Sequence, residues 1–342
     1  MSFESFLTAL MSPQNGARAA AEQKYNEMKA ADPGPLVGHL MAVLAQPAPD
    51  PTLRAFSAVL LRGLIGRRAT VYFSLPAQTQ AQLRSGLLAV ATENASNKLL
   101  SKRVCDTIGE LGIVVEANGH WAELLPWALQ QINTPNPDIC EVGLTVLAQV
   151  ALVLASRPQY HQHYPNLCML LQRCMTAPGA GVGVRVAAVQ VTCNLVVCIT
   201  SSEQRAAFRP LVPSMLIALA DVLTRDNTTL KSAEMLECFG DVSYEHGSFY
   251  RLHLAQVHAA MLQIAGSTQL DDKLRRFAVE WIAATAEGSG SMCRKLANNA
   301  YTRNTLPVLL SMMLADVDSM VGDLAAWEKR GETAGAGGGT VG

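Results

Sequence analysis

Apolar positions in this chain recur with a helical rather than a strand rhythm. From "DDKLRRFAVEWIA" (271–283) onward, Leu274, Phe277, Ala278, Trp281, Ile282 and Thr285 follow i, i+3, i+4, i+7, i+8 spacing and form one stripe, while Lys273, Arg276 and Glu280 fall off it. A second kind of helix precedes such stretches. In "RPLVPSMLIALADVL" (209–223), Leu211, Val212, Met215, Leu216, Leu219, Val222 and Leu223 share a side, and Pro213 predicts a kink or a late helix start. Short segments rich in turn residues separate the helix pairs: "QPAPDP" (46–51), "NTPNP" (133–137), "APGAGVG" (177–183) and "STQLDD" (267–272).

The frame apolar–basic–x–apolar–small opens the second helix of each pair. It reads Leu274-Arg275-Arg276-Phe277-Ala278, and recurs from Val184, Leu53 and Ala17 with Arg185, Arg54 and Arg18 in the basic place. Weaker copies start at Ser101 (Lys102) and Leu230 (Lys231), and the weakest at Ile139, with Cys140 in that place. Successive starts lie 36, 48, 38, 45, 46 and 44 residues apart. This is the period of a two-helix solenoid repeat of the HEAT or armadillo kind. The predicted fold is therefore all-α, a right-handed α-α superhelix of about seven helix pairs. Neighbouring helices must approach to about 8–10 Å, so one position per helix stays small. Ala21, Ser57, Cys105, Gly143, Ala188 and Ala278 fill it, and Glu234 is the awkward copy. Asp50 and Asp271 each precede an arginine of the frame by four residues. A scaffold ladder is expected of Asp50, Arg54, Arg185, Lys231, Asp271 and Arg275, each capping a helix start or bridging to the neighbouring loop. Arg276, off the stripe, reads as solvated.

Composition narrows the function. Of 342 residues 49% are hydrophobic and 16% charged, enough apolar material for a large core. Net charge is −1, so no global basic field exists to attract nucleic acid or an anionic membrane. Eight cysteines are scattered without a CxxC pair, mostly in apolar runs, the usage of reduced thiols. "MSFESFLTALMSPQ" carries Glu4 and no early Lys or Arg, as expected without a secretory leader. The longest apolar stretch (182–200) contains Arg185, Gln190 and Asn194 and reads as a buried helix rather than a membrane span. No phosphate loop, metal motif or nucleophile elbow occurs. His161 and His163 with Cys168 and Cys174 lack paired ligand spacing, and Glu234, Glu237, Asp241 and Glu245 space as a polar helix face. Trp121, Trp127, Trp281 and Trp327 read as anchors rather than a ligand cage. No catalytic, cofactor-binding or metal site is expected; a solenoid without chemistry binds proteins along its face.

Several short matches resemble a known family. Ala21 and Glu22 in "RAAAEQKY" (18–25), and Ala58, Leu60, Leu61 and Arg62 in "FSAVLLRGLI" (56–65), resemble the first two repeats of the importin N-terminal domain. "KRVCDTIGELG" (102–112), Trp121, "QHY" (162–164), "QRCM" (172–175), "MCRK" (292–295) and "LPVLLSMMLADVD" (306–318) follow. The chain is similar, over about 1–328, to the N-terminal part of an importin-β (karyopherin-β) superfamily receptor, nearest the importin-five or karyopherin beta-three branch. Two features depart from that pattern. Gly63 stands where many members carry a second basic residue, and only Asp316, Asp318, Asp323, Trp327 and Glu328 represent an acidic segment of the branch. Family members are also several-fold longer.

The resemblance implies importin N-terminal-like repeats over 1–90, further repeats of the same solenoid over 91–314, and an acidic-to-glycine-rich tail over 315–342. It implies a nuclear transport receptor, not an enzyme, needing no cofactor and shuttling between cytoplasm and nucleus. Its partners would be the GTP form of the small GTPase Ran, protein cargo with a nuclear localisation signal, and FG nucleoporins, with no nucleic acid and no membrane insertion. Candidate Ran-facing residues are Arg18, Glu22, Arg54, Arg62, Lys102, Asp106 and Glu110. The alternative is a HEAT-repeat assembly scaffold, for example for a phosphatase, that does not bind Ran.

Overall fold

The computed structural model describes residues 2–46, 50–66, 70–119 and 121–321, the last six by backbone alone. Of the tail expected over 315–342, residues 315–321 continue the last helix, and the remainder, with Asp323, Trp327 and Glu328, lies outside the described residues, as do 47–49 of the first loop. The chain divides into two compact units, Met1–Cys238 and Phe239–Gly342, and the division falls inside a helix.

The first unit opens with α1 (Phe3–Leu10), α2 (Asn15–Ala31), α3 (Pro33–Ala45) and α4 (Pro51–Ile65). A short α5 (Thr70–Ser74) leads to α6 (Ala77–Glu93) and α7 (Lys98–Asn118), then α8 (Leu124–Ile132) and α9 (Pro137–Gln149). Short α10 (Ala151–Ser156) and α11 (Pro158–His161) precede α12 (Tyr164–Thr176) and α13 (Val182–Cys198). After α14 (Ser202–Ala206) come α15 (Val212–Arg225) and α16 (Leu230–His246). The second unit holds the end of α16, then α17 (Leu254–Gly266), α18 (Asp272–Gly288), α19 (Gly290–Arg294) and α20 (Ala300–Val321). Among the described residues there is no strand, and the fold is all-α, of the HEAT-repeat class.

Packing follows the period. α3 lies on α4, α6 on α7, α8 on α9 and α12 on α13 as pairs, while α4, α7, α9 and α13 touch in turn as a second-helix row. In the second unit α17 packs on α18 and α20. Polar contacts between helices span about one repeat. Thr107 donates to the Ala58 carbonyl 49 residues away and Asn194 to Ala148 46 away, and His258 meets Thr305 47 away. Each fixes register, the first and last at buried places where a missing partner costs about 1–3 kcal/mol.

The predicted stripes are largely the core. Leu274, Ala278, Trp281, Ile282 and Thr285 are buried in α18, while Phe277 is half-buried with the Lys273 ammonium 5.7 Å from its ring centre. In α15 Val212, Met215, Leu219 and Val222 are buried, and a 3-10 turn Arg209–Leu211 precedes it, so Pro213 marks a late start. Ser202–Arg225 is long and apolar enough to cross a membrane by composition, yet it is three separate pieces with its apolar face packed. Val182–Cys198, the apolar stretch read as buried, buries eleven side chains. The small position has a direct cause at Gly143, where a Cβ would stand 2.8 Å from the Ala128 carbonyl oxygen. Glu234 is awkward because α16 enters the frame out of register; Ser232 and Ala233 take the buried places, and Glu234 faces solvent beside Lys231.

Candidate functional site: the second-helix face of the first unit

Helix phase separates two kinds of basic residue. Arg54, Arg185 and Arg275 are each the fourth residue of their helices. From that position each guanidinium turns back onto a carbonyl ten residues earlier, at the C-terminus of the paired helix. Arg54 Nε and Nη2 donate to Leu44 at 3.0 and 2.9 Å. Arg275 Nε donates to Ala265 at 3.0 Å. Arg185 donates to Met175, and to Ala177 at 2.9 Å, while its Nε lies 2.9 Å from Asp221 of α15. A cation thus meets the negative end of each helix dipole and the carbonyls left over there.

Asp50 and Asp271, expected to cap a helix start or bridge to the neighbouring loop, take the first of these roles. Each carboxylate caps its own helix, Asp50 accepting from Thr52 N–H at 2.9 Å and Asp271 from Lys273 N–H at 2.8 Å. Lys231, by contrast, is not a ladder residue. It is the second residue of α16, and Lys102 the fifth of α7. At about 100° per residue, both are rotated off the carbonyl-facing direction. Arg54 leaves the partner-facing group for the complementary reason: it is 5% exposed and fully engaged by Leu44.

What remains on the face is a polar row. Arg62 lies 3.4 Å from Asp106 and 3.7 Å from Glu110, Arg103 lies 3.8 Å from Asp106, and Gln149 donates to Asp106 at 2.9 Å. Lys98 reaches across to α9, 2.6 Å from Asp138 and 2.9 Å from Glu141. A groove of about 530 Å³ runs beside these residues, its charges being Lys98, Lys102 and Lys231 against Asp106, Asp138, Glu141 and Glu234. A second hollow of about 510 Å³ is lined by Lys29, Arg62 and Glu110 among apolar residues. Arg18 and Glu22 are exposed on α2, 3.5 Å apart, and take no part in the groove. So the fold gathers Arg62, Lys102, Asp106 and Glu110, and leaves Arg18, Glu22 and Arg54 elsewhere.

Lys98 pairs at the exposed end of the row and Arg62, Asp106 and Glu110 at a half-buried one; solvent-screened pairs contribute about 0–1 kcal/mol each, so a partner's charges can replace them at little cost. Mixed signs suit a protein surface rather than a polyanion. Sequence reading missed Lys98, Arg103, Asp138, Glu141 and Gln149. Their signal was present as polar residues one repeat apart: Lys98 precedes Asp138 by 40 residues and Glu141 by 43.

Among the described residues no group of three or more His, Cys, Asp or Glu could hold a metal ion. His161 is instead bonded within the fold, Nε2 3.0 Å from the Ala155 carbonyl and Nδ1 2.9 Å from Gln204. Trp121 is buried beside Glu116, whose Oε1 accepts its backbone N–H at 2.8 Å, and Trp281 is fully buried.

A family model described as "IPO5-like, TPR repeats" matches residues 96–260. Importin-4 of Homo sapiens is 25% identical over 277 residues, 80% of this chain and 24% of that protein. The chain thus spans about a quarter of the length of that relative. Crystal structures of Kap121p superpose with a TM-score of 0.76 at 22% identity, covering 91% of this chain and 29% of that one. Kap121p bound to RanGTP gives 0.76 at 22% over 94% and 29%, and Kap121p bound to Nup53p gives 0.74 at 22% over 90% and 28%.

Proposed function

The chain belongs to the importin-β superfamily, and on that premise we propose that it acts as the N-terminal arch of a nuclear transport receptor, binding GTP-loaded Ran and protein cargo. Arg62, Lys102, Asp106 and Glu110 meet Ran across the first unit's second-helix face, and Arg18 and Glu22 extend that contact along α2. Cargo with a nuclear localisation signal uses the same face further along. Ran and cargo then oppose one another, and the coupling is reciprocal. Residues 1–90 form the importin-like entry to the surface, 91–314 continue it, and the chain shuttles between cytoplasm and nucleus. FG nucleoporins dock on first helices, where Met169 of α12 and Ile217 of α15 are 63% and 55% exposed.

The observation that carries the reading is the ion-paired row from Arg62 to Glu141, set in a fold that Kap121p also adopts in its complex with RanGTP. A pull-down with immobilised Ran tests it. Retention on the GTP form and not on the GDP form is expected. Equal retention on both contradicts it and returns the chain to the general assembly scaffolds.

A further inference from the structure

We infer that Cys140 and Cys174 form a peroxide-sensitive pair whose closure into a disulfide ties α9 to α12. Their sulfurs stand 3.9 Å apart across two helices, and each residue is 5% exposed. A disulfide needs about 2.05 Å between sulfurs, so the two must close by about 1.9 Å to bond.

The place is particular. Cys140 is the fourth residue of α9, the position held by arginine in α4, α13 and α18. Like those arginines it turns to the end of its paired helix, its Sγ 3.6 Å from the Ile132 carbonyl oxygen. Arg173, next to Cys174, covers that carbonyl from the following repeat at 3.0 Å. This junction therefore carries two thiols beside a guanidinium lent by the following repeat.

The pair is also chemically unequal. Hydrogen bonding with Cys140 holds the Cys174 thiol below its ordinary range, Arg173 adding to the effect against burial, while the same bond and then burial hold Cys140 above. Cys174 thiolate attacks one oxygen of a hydroperoxide; the O–O bond breaks, hydroxide or alkoxide leaves, and sulfenic acid forms. Cys140 sulfur then attacks the Cys174 sulfur. The S–O bond breaks, and water departs with the Cys140 proton. Two thiols are oxidised and one hydroperoxide is reduced. Because α9 supplies Asp138 and Glu141 to the groove, the bond fixes one groove wall. The inference stands independently of Ran binding.

Peptide mapping of the full chain, treated with hydrogen peroxide and then denatured and alkylated, tests the pair. Of eight cysteines, two should escape alkylation until dithiothreitol is added, with the Cys140 and Cys174 peptides joined. Amide exchange across 137–149 should be several-fold slower in the oxidised chain. Cys174→Ser should remove both effects, and should it not fold, the wild-type map still decides. Alkylation of all eight, cross-links scattered over other cysteines, or unchanged exchange overturns the inference.

Discussion

Along one edge of the first unit, where each first helix turns into its second, Arg54 and Arg185 are 5% exposed and bonded to backbone carbonyls. On the adjoining face Arg62, Lys98 and Lys102 stay in contact with water, and the first two pair with carboxylates one repeat away. The same side-chain chemistry thus serves two ends, and position in the helix chooses between them. A cation at the fourth residue of α4, α13 or α18 closes a helix end, although Arg18 at the same place in α2 stays exposed beside Glu22; one off that phase holds a charge that a partner can take over. Charge alone is a poor guide to function here; angular position sorts Arg54 and Arg185 from Arg62, Lys98 and Lys102, with Arg18 the exception.

The hardest way to break this contrast is Arg185→Met. It strands the Met175 carbonyl, leaves the Ala177 carbonyl with the Ala180 N–H alone, and takes the Arg185 ion pair from Asp221, at an expected cost of about 3 kcal/mol in urea unfolding. Arg62→Met on the face should stay within about 1 kcal/mol. Equal losses at the two sites would erase the distinction.

A buried contact in the second unit gives the next largest effect. His258 is 2% exposed, meets Thr305 at 2.9 Å and stacks on Tyr301 at 4.1 Å between ring centres. Burial lowers its pKa from 6.5 to about 4. The unfolded chain therefore takes up this proton at a higher pH than the folded one. Stability is complete above pH 6.5 and falls as pH drops toward 4, by about 2 kcal/mol at pH 5. Thermal unfolding across that range should show the fall in wild type and a flatter profile in His258→Gln.

Smaller again is Asp106→Lys, which places a like charge among Arg62, Arg103 and Lys102. It should weaken GTP-Ran binding about tenfold, or ~1.4 kcal/mol, with little change in melting temperature. Least of all, Lys98→Met should cost under about 1 kcal/mol, a difference that fades in high salt. A loss as large as that of Arg185→Met would move Lys98 from the face to the scaffold.

The repeat was legible because Arg54, Arg185 and Arg275 occur at one helix phase, next to apolar stripes that must be buried. Register was less so. Lys102 and Lys231 imitate the frame beside apolar residues, and only the actual helix starts at Lys98 and Leu230 show them rotated off it. The role of Asp50 was half visible: a capping residue before Pro51 announces itself, but the choice between its own helix start and the neighbouring loop is settled by geometry. Arg173 closing the end of α8 from 41 residues away, and the Cys140–Cys174 contact across 34, depend on how α12 meets its neighbours, which no local pattern encodes. Of the partner-facing candidates, the four on the groove side share a face by periodicity, whereas Arg54 fell out because burial follows phase rather than charge.

Calorimetric titration of GTP-loaded Ran onto the wild-type chain and onto an Arg62→Glu, Asp106→Lys, Glu110→Lys variant tests most directly whether the second-helix face is the partner surface. The wild type should saturate and the variant should give no binding heat, while the two melt within a few degrees of each other. A variant that binds as tightly as the wild type would contradict it.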